Sequence, residues 1–304
     1  MKEKRIFKAK TKQTIFVWTM LAIPIVHFLV FWLYVNFDSI LLAFRNLDMA
    51  TGEEYWTLNN FKQVFEMFTD KSGTYNLLHH GLNTLKFWSL SVFWMIPHSI
   101  LLTYVFHRKL KGYKFFRIVL YLPSIICAVV IAGIFESFIS GNGAFGAFLT
   151  DVLHVARVPN WFQETEYATK MLLFYSFFFG FAGHYVIYSG AIARVDQDMM
   201  DVARMEGAGM WQELWYVYIP LMWPTVSMTI ITTFAGIFGA SGPILLFTPY
   251  IESTHTFGYW IFDQVRQYQS YYIPATLGLV FTIIAFPICL LIRRVVESIY
   301  SDVD

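Results

Sequence analysis

Two groups of residues in this chain have types that do chemistry in other proteins. Gly141-Asn142-Gly143-Ala144-Phe145-Gly146 matches G-x-G-x-x-G, the spacing that lets a backbone cradle a pyrophosphate. That role needs a strand before the glycines, and here a long apolar run precedes them, so nucleotide binding is not expected. The histidines, His27, His79, His80, His98, His107, His154, His184 and His255, could ligate a metal, yet they show no ligand spacing beyond one adjacent pair. No Ser/His/Asp or Cys/His set pairs a nucleophile with a base. A phosphate-loop pattern is absent from the sequence as well. The chain is therefore expected to be neither an enzyme nor the binder of a cofactor or metal, and what remains are polar residues set among apolar ones.

Those polar residues must be positioned by elements that belong in lipid. Of 304 residues 57% are hydrophobic and 14% charged, where soluble domains carry nearly a quarter charged residues. Six apolar runs, 14–37, 83–106, 115–140, 169–193, 221–247 and 273–296, are each long enough at ~1.5 Å per residue to cross a hydrocarbon core of roughly 30 Å. The expected fold is an all-α integral membrane protein of six transmembrane helices. Pro24, Pro97, Pro123, Pro243 and Pro287 fall in these runs and predict broken or kinked helices. Between the runs, Phe61, Val64, Phe65 and Phe68 recur at helical spacing and predict a short interfacial helix in the loop 38–82, and Asn83-Thr84-Leu85 is expected to open the second span. The basic, apolar start runs too long for a cleavable signal peptide and is read as a retained first helix. Cys127 and Cys289 both lie in predicted spans, so no structural disulfide is expected.

Basic residues in short flanks set the orientation. Lys2, Lys4, Arg5, Lys8, Lys10 and Lys12 precede the first run. Arg108, Lys109, Lys111, Lys114 and Arg117 lie around the second short loop, Arg194 and Arg204 fall in a later one, and Arg293 and Arg294 end the last run. The alternate loops are poorer in charge for their length, with Arg45, Lys62, Lys71, Arg157, Lys170 and Arg266. Both termini are expected in the cytoplasm, together with the segment 194–220. These clusters are accounted for by topology, and no nucleic-acid partner is expected; membrane lipid is.

Segment 194–220 carries the most information. Asp198 is placed to cap a helix with Asp201 three residues on, acidic residues in that turn favouring the positive helix end. Met199, Val202 and Ala203 would then share an exposed face suited to a groove on another protein. Glu206 and Gly207 follow, with Gly207 permitting a sharp break before a second helix from about Trp211 to Tyr218, and Pro220 marking the junction with the fifth run.

The segment resembles the EAA loop of ABC importer permeases, a pattern of Glu-Ala-Ala, three residues, Gly, nine residues, Ile, any residue and Leu-Pro. Asp201, Val202 and Ala203 occupy the Glu-Ala-Ala slots, Val217 and Ile219 the Ile and Leu slots, and Gly207 and Pro220 fall in register. Supporting stretches are Phe115-Phe116-Arg117 with Tyr121-Leu122-Pro123, Gly141 to Gly146, and Ile219-Pro220-Leu221 followed by Pro224-Thr225. The likeness covers roughly 14–297 and is nearest to permeases for maltose and multiple sugars. It implies the type I, MetI-like permease architecture in a bacterial or archaeal cell membrane, with one domain over 14–297 flanked by a basic segment 1–13 and a tail 298–304. It further implies a second homologous permease, two ATPase subunits that hold ATP and Mg, an extracytoplasmic solute-binding protein, and a solute of oligosaccharide or related polyhydroxylated type. The alternatives are a non-sugar solute carried by the same family, or a secondary transporter, which would need an ion relay or inverted repeats.

Polar residues inside spans are costly and usually face protein or a water-filled path. Glu136, His98, His184, Tyr185 and Tyr188 are the candidates for a solute path, against a plainer role as interhelical hydrogen bonds or interface anchors.

The orientation is open to a direct test in a background lacking Cys127 and Cys289. Single cysteines at Ser72 and Thr165 react with a membrane-impermeant thiol reagent in intact cells, whereas one at Gln197 reacts only after permeabilisation. Labelling of Gln197 in sealed cells would invert the topology.

Overall fold

The computed structural model describes residues 2–48, 50–69, 77–109 and 111–300, with side chains from Lys12 onward except at 197. Lys71, Ser72 and positions 301–304 of the tail lie outside the described residues. Among the described residues, six helices are long and apolar enough to cross a membrane: Lys12–Leu42, Leu77–His107, Ala128–Asp151, Thr165–Ile192, Met210–Ala235 and Tyr272–Ser298, hereafter spans 1 to 6.

Two of the spans pass over a proline in the same way. A π turn, Ser91–Met95, stands just before Pro97 in span 2, and another, Leu214–Tyr218, just before Pro220 in span 5. A proline offers no N–H and its ring collides with the carbonyl four residues back. The wider π turn directs carbonyls to residues five positions on, so the helix steps over the proline nitrogen. Pro220 is therefore not a junction between two helices as its position suggested. It lies inside a helix that begins at Met210, and span 5 ends at Ala235 rather than near 247; a separate short helix, Ile244–Phe247, follows.

The third apolar run also departs from a single span over 115–140. It is split into helices Tyr113–Ile125 and Ala128–Ile139 by extended backbone at Ile126, ψ 142°, and Cys127, ψ 132°. Pro123 removes a donor from the last turn before the break, and the Ser124 hydroxyl is turned onto the Tyr121 carbonyl at 2.7 Å. The polypeptide then turns at Ser140–Gly143 and continues as helix Ala144–Asp151. Side chains at Gly143 or Gly146 would run into the carbonyl oxygens of Ser137 and Ser140, so the G-x-G-x-x-G spacing serves a tight turn between two helices.

The chain divides into two compact units, Met1–Glu66 with Gln267–Val280, and Met67–Arg266 with Phe281–Asp304. In the first, every side chain from Lys12 to Ile40 is exposed, which places this apolar helix in lipid or against another protein. A two-stranded hairpin not anticipated from the pattern follows, β1 Arg45–Leu47 pairing antiparallel with β2 Glu54–Trp56. Buried Asn60, on the amphipathic helix Asn59–Thr69, holds it by donating to the carbonyls of Ala43 at 3.2 Å and Arg45 at 2.7 Å. From span 6, Thr276 donates to the same Ala43 carbonyl at 3.1 Å.

The second unit has apolar cores toward opposite ends of its spans. One gathers Phe87, Phe135, Phe162, Leu172, Tyr175, Ile244 and Tyr259. The other gathers Tyr104, Tyr188, Met200, Leu214, Tyr218 and Met222. Asn83 and Thr84 do not open span 2, which starts at Leu77. They sit inside it, fully buried, and clamp the loop before helix Phe257–Tyr268. Asn83 Nδ2 donates to the carbonyls of Ser253 at 2.8 Å and His255 at 3.1 Å, Lys86 Nζ donates to Asn83 Oδ1 at 3.1 Å, and Thr84 Oγ1 accepts from the Phe257 N–H at 2.9 Å. Removing this amide leaves buried carbonyls short of donors, at a cost of about 1–3 kcal/mol. Asn83→Ala lowers the melting temperature of the purified permease in detergent while Leu85→Ala, at an exposed neighbour, does not; equal melting of the two would show that the clamp contributes nothing.

Candidate functional site

Segment 194–220 divides into a helix outside the spans, Gln197–Met205, fastened at both ends, and the start of span 5 from Met210. Helix Gln197–Met205 is capped by Asp196, whose side chain accepts from the Asp198 N–H at 3.1 Å. Asp198 is thus a first-turn residue rather than the cap, two positions later than the capping oxygen; its charge still favours the helix start. At the other end Ala208 N–H bonds the Ala203 carbonyl and Gly207 N–H bonds the Arg204 carbonyl, both at 3.0 Å, with Gly207 at φ +83°. This is a Schellman ending, with Glu206 as the C-cap and Gly207 in the left-handed conformation that only glycine adopts cheaply. Gly209 then opens span 5, its N–H held by Gln212 Oε1 at 2.8 Å.

The faces of this helix differ sharply. Met200 is 0% exposed and fills the core beside Tyr104, Tyr188 and Tyr218. Arg204, one turn on, points the same way. On the opposite side Met199 is 51% and Val202 52% exposed, with Ala203 half-buried between the faces and Asp201 exposed and paired to Arg204 at 3.3 Å. Met199 and Val202 share an exposed side, whereas Ala203, expected on the same face, is half-buried, and the sequence pattern did not reveal what anchors the inward side.

The anchor is Glu213, 0% exposed at the start of span 5. Arg204 Nη2 donates to Glu213 Oε1 at 3.0 Å. Arg108, just past the end of span 2, brings Nη2 to 3.7 Å from Oε2. Tyr104 in span 2 shares its hydroxyl proton between Glu213 Oε2 at 3.2 Å and the Met210 carbonyl at 2.8 Å, and its oxygen accepts from Arg108 Nη1 at 3.4 Å. The hydrogen bond to Glu213 holds Arg204 above its ordinary pKa. Burial of a carboxylate is tolerable only with such partners. One signal was available in the sequence: Glu213 is a lone acid at the head of an apolar stretch, nine residues after Arg204.

The five solute-path candidates do not form one cluster. Tyr188 is buried in the core around Met200. Tyr185, also buried, packs with Met95 and Phe181, and the His98 ring lies 5.1 Å from Phe181 and stacks on Trp94 at 4.7 Å. His184 is half-buried with its Nδ1 enclosed. Glu136 stands apart from these, exposed on helix Ala128–Ile139. No group of three or more His, Cys, Asp or Glu side chains among the described residues is arranged to hold a metal.

The Schellman ending gives Gly207 a measurable role. A side chain there meets no neighbour, so Gly207→Val acts through backbone strain alone, roughly 1–2 kcal/mol, and Gly207→Asn through less. Limited proteolysis at 205–210 should be faster in Gly207→Val than in Gly207→Asn or the native chain, and equal rates would remove the conformational requirement.

A family model described as the binding-protein-dependent transport system inner membrane component matches residues 95–303, a stretch that contains the whole Glu213 site. The galactooligosaccharides transport system permease protein GanP of Bacillus subtilis (strain 168) is 23% identical over 285 residues, 87% of this chain and 66% of that protein. The maltose/maltodextrin transport system permease protein MalF of Escherichia coli (strain K12) is 24% identical over 194 residues, 62% of this chain and 37% of that protein. The lactose transport system permease protein LacF of Rhizobium radiobacter is 24% identical over 156 residues, 51% of this chain and 52% of that protein. The chain spans less than two thirds of each of these relatives. Among solved structures, a bacterial ABC transporter involved in the import of the acidic polysaccharide alginate superposes with a TM-score of 0.77 at 20% identity, covering 97% of this chain and 99% of that one. With the family match over more than half of its length and this fold, the chain belongs to the inner membrane permease components of binding-protein-dependent ABC transport systems, a multi-pass membrane protein of the type I importer fold.

Proposed function

We propose that this permease forms half of the translocation path for an oligosaccharide or related polyhydroxylated solute, delivered by an extracytoplasmic binding protein and driven by separate ATPases. The observation that carries the reading is the helix Gln197–Met205, docked inward through Met200 and Arg204 while Met199 and Val202 are exposed. An apolar face on a short helix outside the bilayer fits a groove on a partner protein. ATP and Mg belong to two ATPase subunits on this view, and a second homologous permease completes the path. Closure of the ATPases would bias the bundle between two packings, turning it from inward-facing to outward-facing.

The solute class is supported by three relatives named for galactooligosaccharides, maltose or maltodextrin, and lactose. A 550 Å³ groove bounded by Leu122, Ile131, Phe135, Phe174 and Phe178 is lined by apolar side chains alone. It offers sugar hydroxyls no hydrogen-bonding side chain, which suits lipid tails or protein better than the solute. We assign Glu136 as a polar contact along the path, and His98, His184, Tyr185 and Tyr188 as packing for the helices that border it.

A strain deleted for this chain regains oligosaccharide uptake when complemented with the native protein but not with Val202→Asp. Val202 is exposed, so the substitution spares the fold and places a charge where the ATPase groove excludes water. Native-level uptake by Val202→Asp would remove the docking face, and growth on the whole oligosaccharide panel without the chain would remove the solute class.

A further inference from the structure

We propose that Glu213 is a positioning residue, an ionic joint that carries motion of the coupling helix into spans 2 and 5 together. The proposal rests on the reading that Gln197–Met205 receives force from an ATPase. The helix is joined covalently through turns on either side, and Gly207 and Gly209 make the second of these a soft link. Two side chains tie it to the bundle directly. Met200 is buried but makes non-directional contacts along which a flexible side chain slides. Arg204 is different: its guanidinium meets a fixed carboxylate at 3.0 Å, a charge-assisted bond with a preferred direction.

Glu213 cannot move alone. Its second oxygen is held by the Tyr104 hydroxyl at 3.2 Å and lies 3.7 Å from Arg108, both at the end of span 2, while its own backbone belongs to the start of span 5. A single carboxylate thus binds the coupling helix, span 2 and span 5. Because Glu213 is 0% exposed, withdrawing Arg204 would take from its Oε1 the 3.0 Å charge-assisted bond and leave the buried carboxylate with Tyr104 and Arg108 on its other oxygen alone. Displacement of the helix therefore drags the carboxylate and both spans with it. Arg204 and Arg108 are themselves partly exposed, with side chains 38% and 26% accessible, so the joint is closed on the protein side and open toward water.

The test uses the assembled importer with spin labels at Met205 and Lys111, both exposed, and measures their distance distribution beside solute uptake. The native protein gives one narrow distance. Glu213→Gln, which keeps the shape and removes the charge, broadens it, lowers maximal uptake by roughly tenfold, a typical coupling loss, and leaves the apparent KM for solute unchanged. Arg204→Gln does the same and Arg204→Lys, which restores the charge, recovers part of the rate. If Glu213→Gln fails to assemble, the two Arg204 variants, at a partly exposed position, carry the same comparison. A narrow distance with native uptake in Glu213→Gln or Arg204→Gln overturns the proposal, as does loss of rate and of KM in parallel with no difference between Arg204→Gln and Arg204→Lys. The distance needs neither solute nor ATP. A broadened distance in a chain whose native form imports no oligosaccharide therefore upholds the joint and rejects the import reading.

Discussion

In hydrocarbon there is no water to satisfy a freed backbone group, and this constraint governs how the chain can bend. On the proposed reading the bundle also switches between two packings, which breaks in its helices allow. The chain meets both demands by placing its irregularities where the polypeptide itself compensates. Pro97 and Pro220 are each preceded by a π turn that carries the helix over the missing donor. At Ile126–Cys127 the helix stops outright, and in its last turn, where Pro123 lacks an N–H, the Ser124 hydroxyl donates to the Tyr121 carbonyl.

The same economy explains where the polar side chains lie. Asn83 and Thr84 use the interior of span 2 to hold the loop around Ser253 and His255, so that a connection between spans is tied to a helix by its own carbonyls. Asn60 does this for the hairpin beyond span 1. At the other end of the second unit, Glu213 gathers Arg108, Arg204 and Tyr104. Polar groups at the ends of the spans thus bind loops and the coupling helix to the bundle, while aromatic and aliphatic side chains fill the space between. A carboxylate is more specific in this role than an apolar contact, since its partners must return to one geometry to keep the charge paired.

On the proposed reading, that arrangement sets what the EAA-like segment would need as a mechanical part. Its outward side is defined by residue type, Met199 and Val202, and could have been replaced by other apolar residues without loss of the pattern. Its inward side depends on a particular pairing between elements far apart in the chain, with Tyr104 more than a hundred residues from Glu213. An interface can be approximate, but a linkage that transmits displacement has to be directional.

Much of this was legible before any coordinates. Six apolar runs, the basic flanks and the order Asp201-Val202-Ala203, Gly207, Pro220 were enough for the membrane class, the number of spans and the family, because lipid burial and glycine's left-handed backbone are local demands written in residue type. The helix Asn59–Thr69 followed from the spacing of its phenylalanines for the same reason. The bounds of spans 2, 3 and 5 did not, since hydropathy averages over a window and cannot tell a helix that ends at a proline from one that widens to pass it. The cap at Asp196 instead of Asp198 turned on which of two acids sat at the first non-helical residue, a backbone fact. The sequence marked Glu213 only as a lone acid at the head of an apolar run, a position that reads as a flank. Only folding brought Arg108 and Arg204 to it, and made a surface-looking residue the most enclosed charge in the described chain.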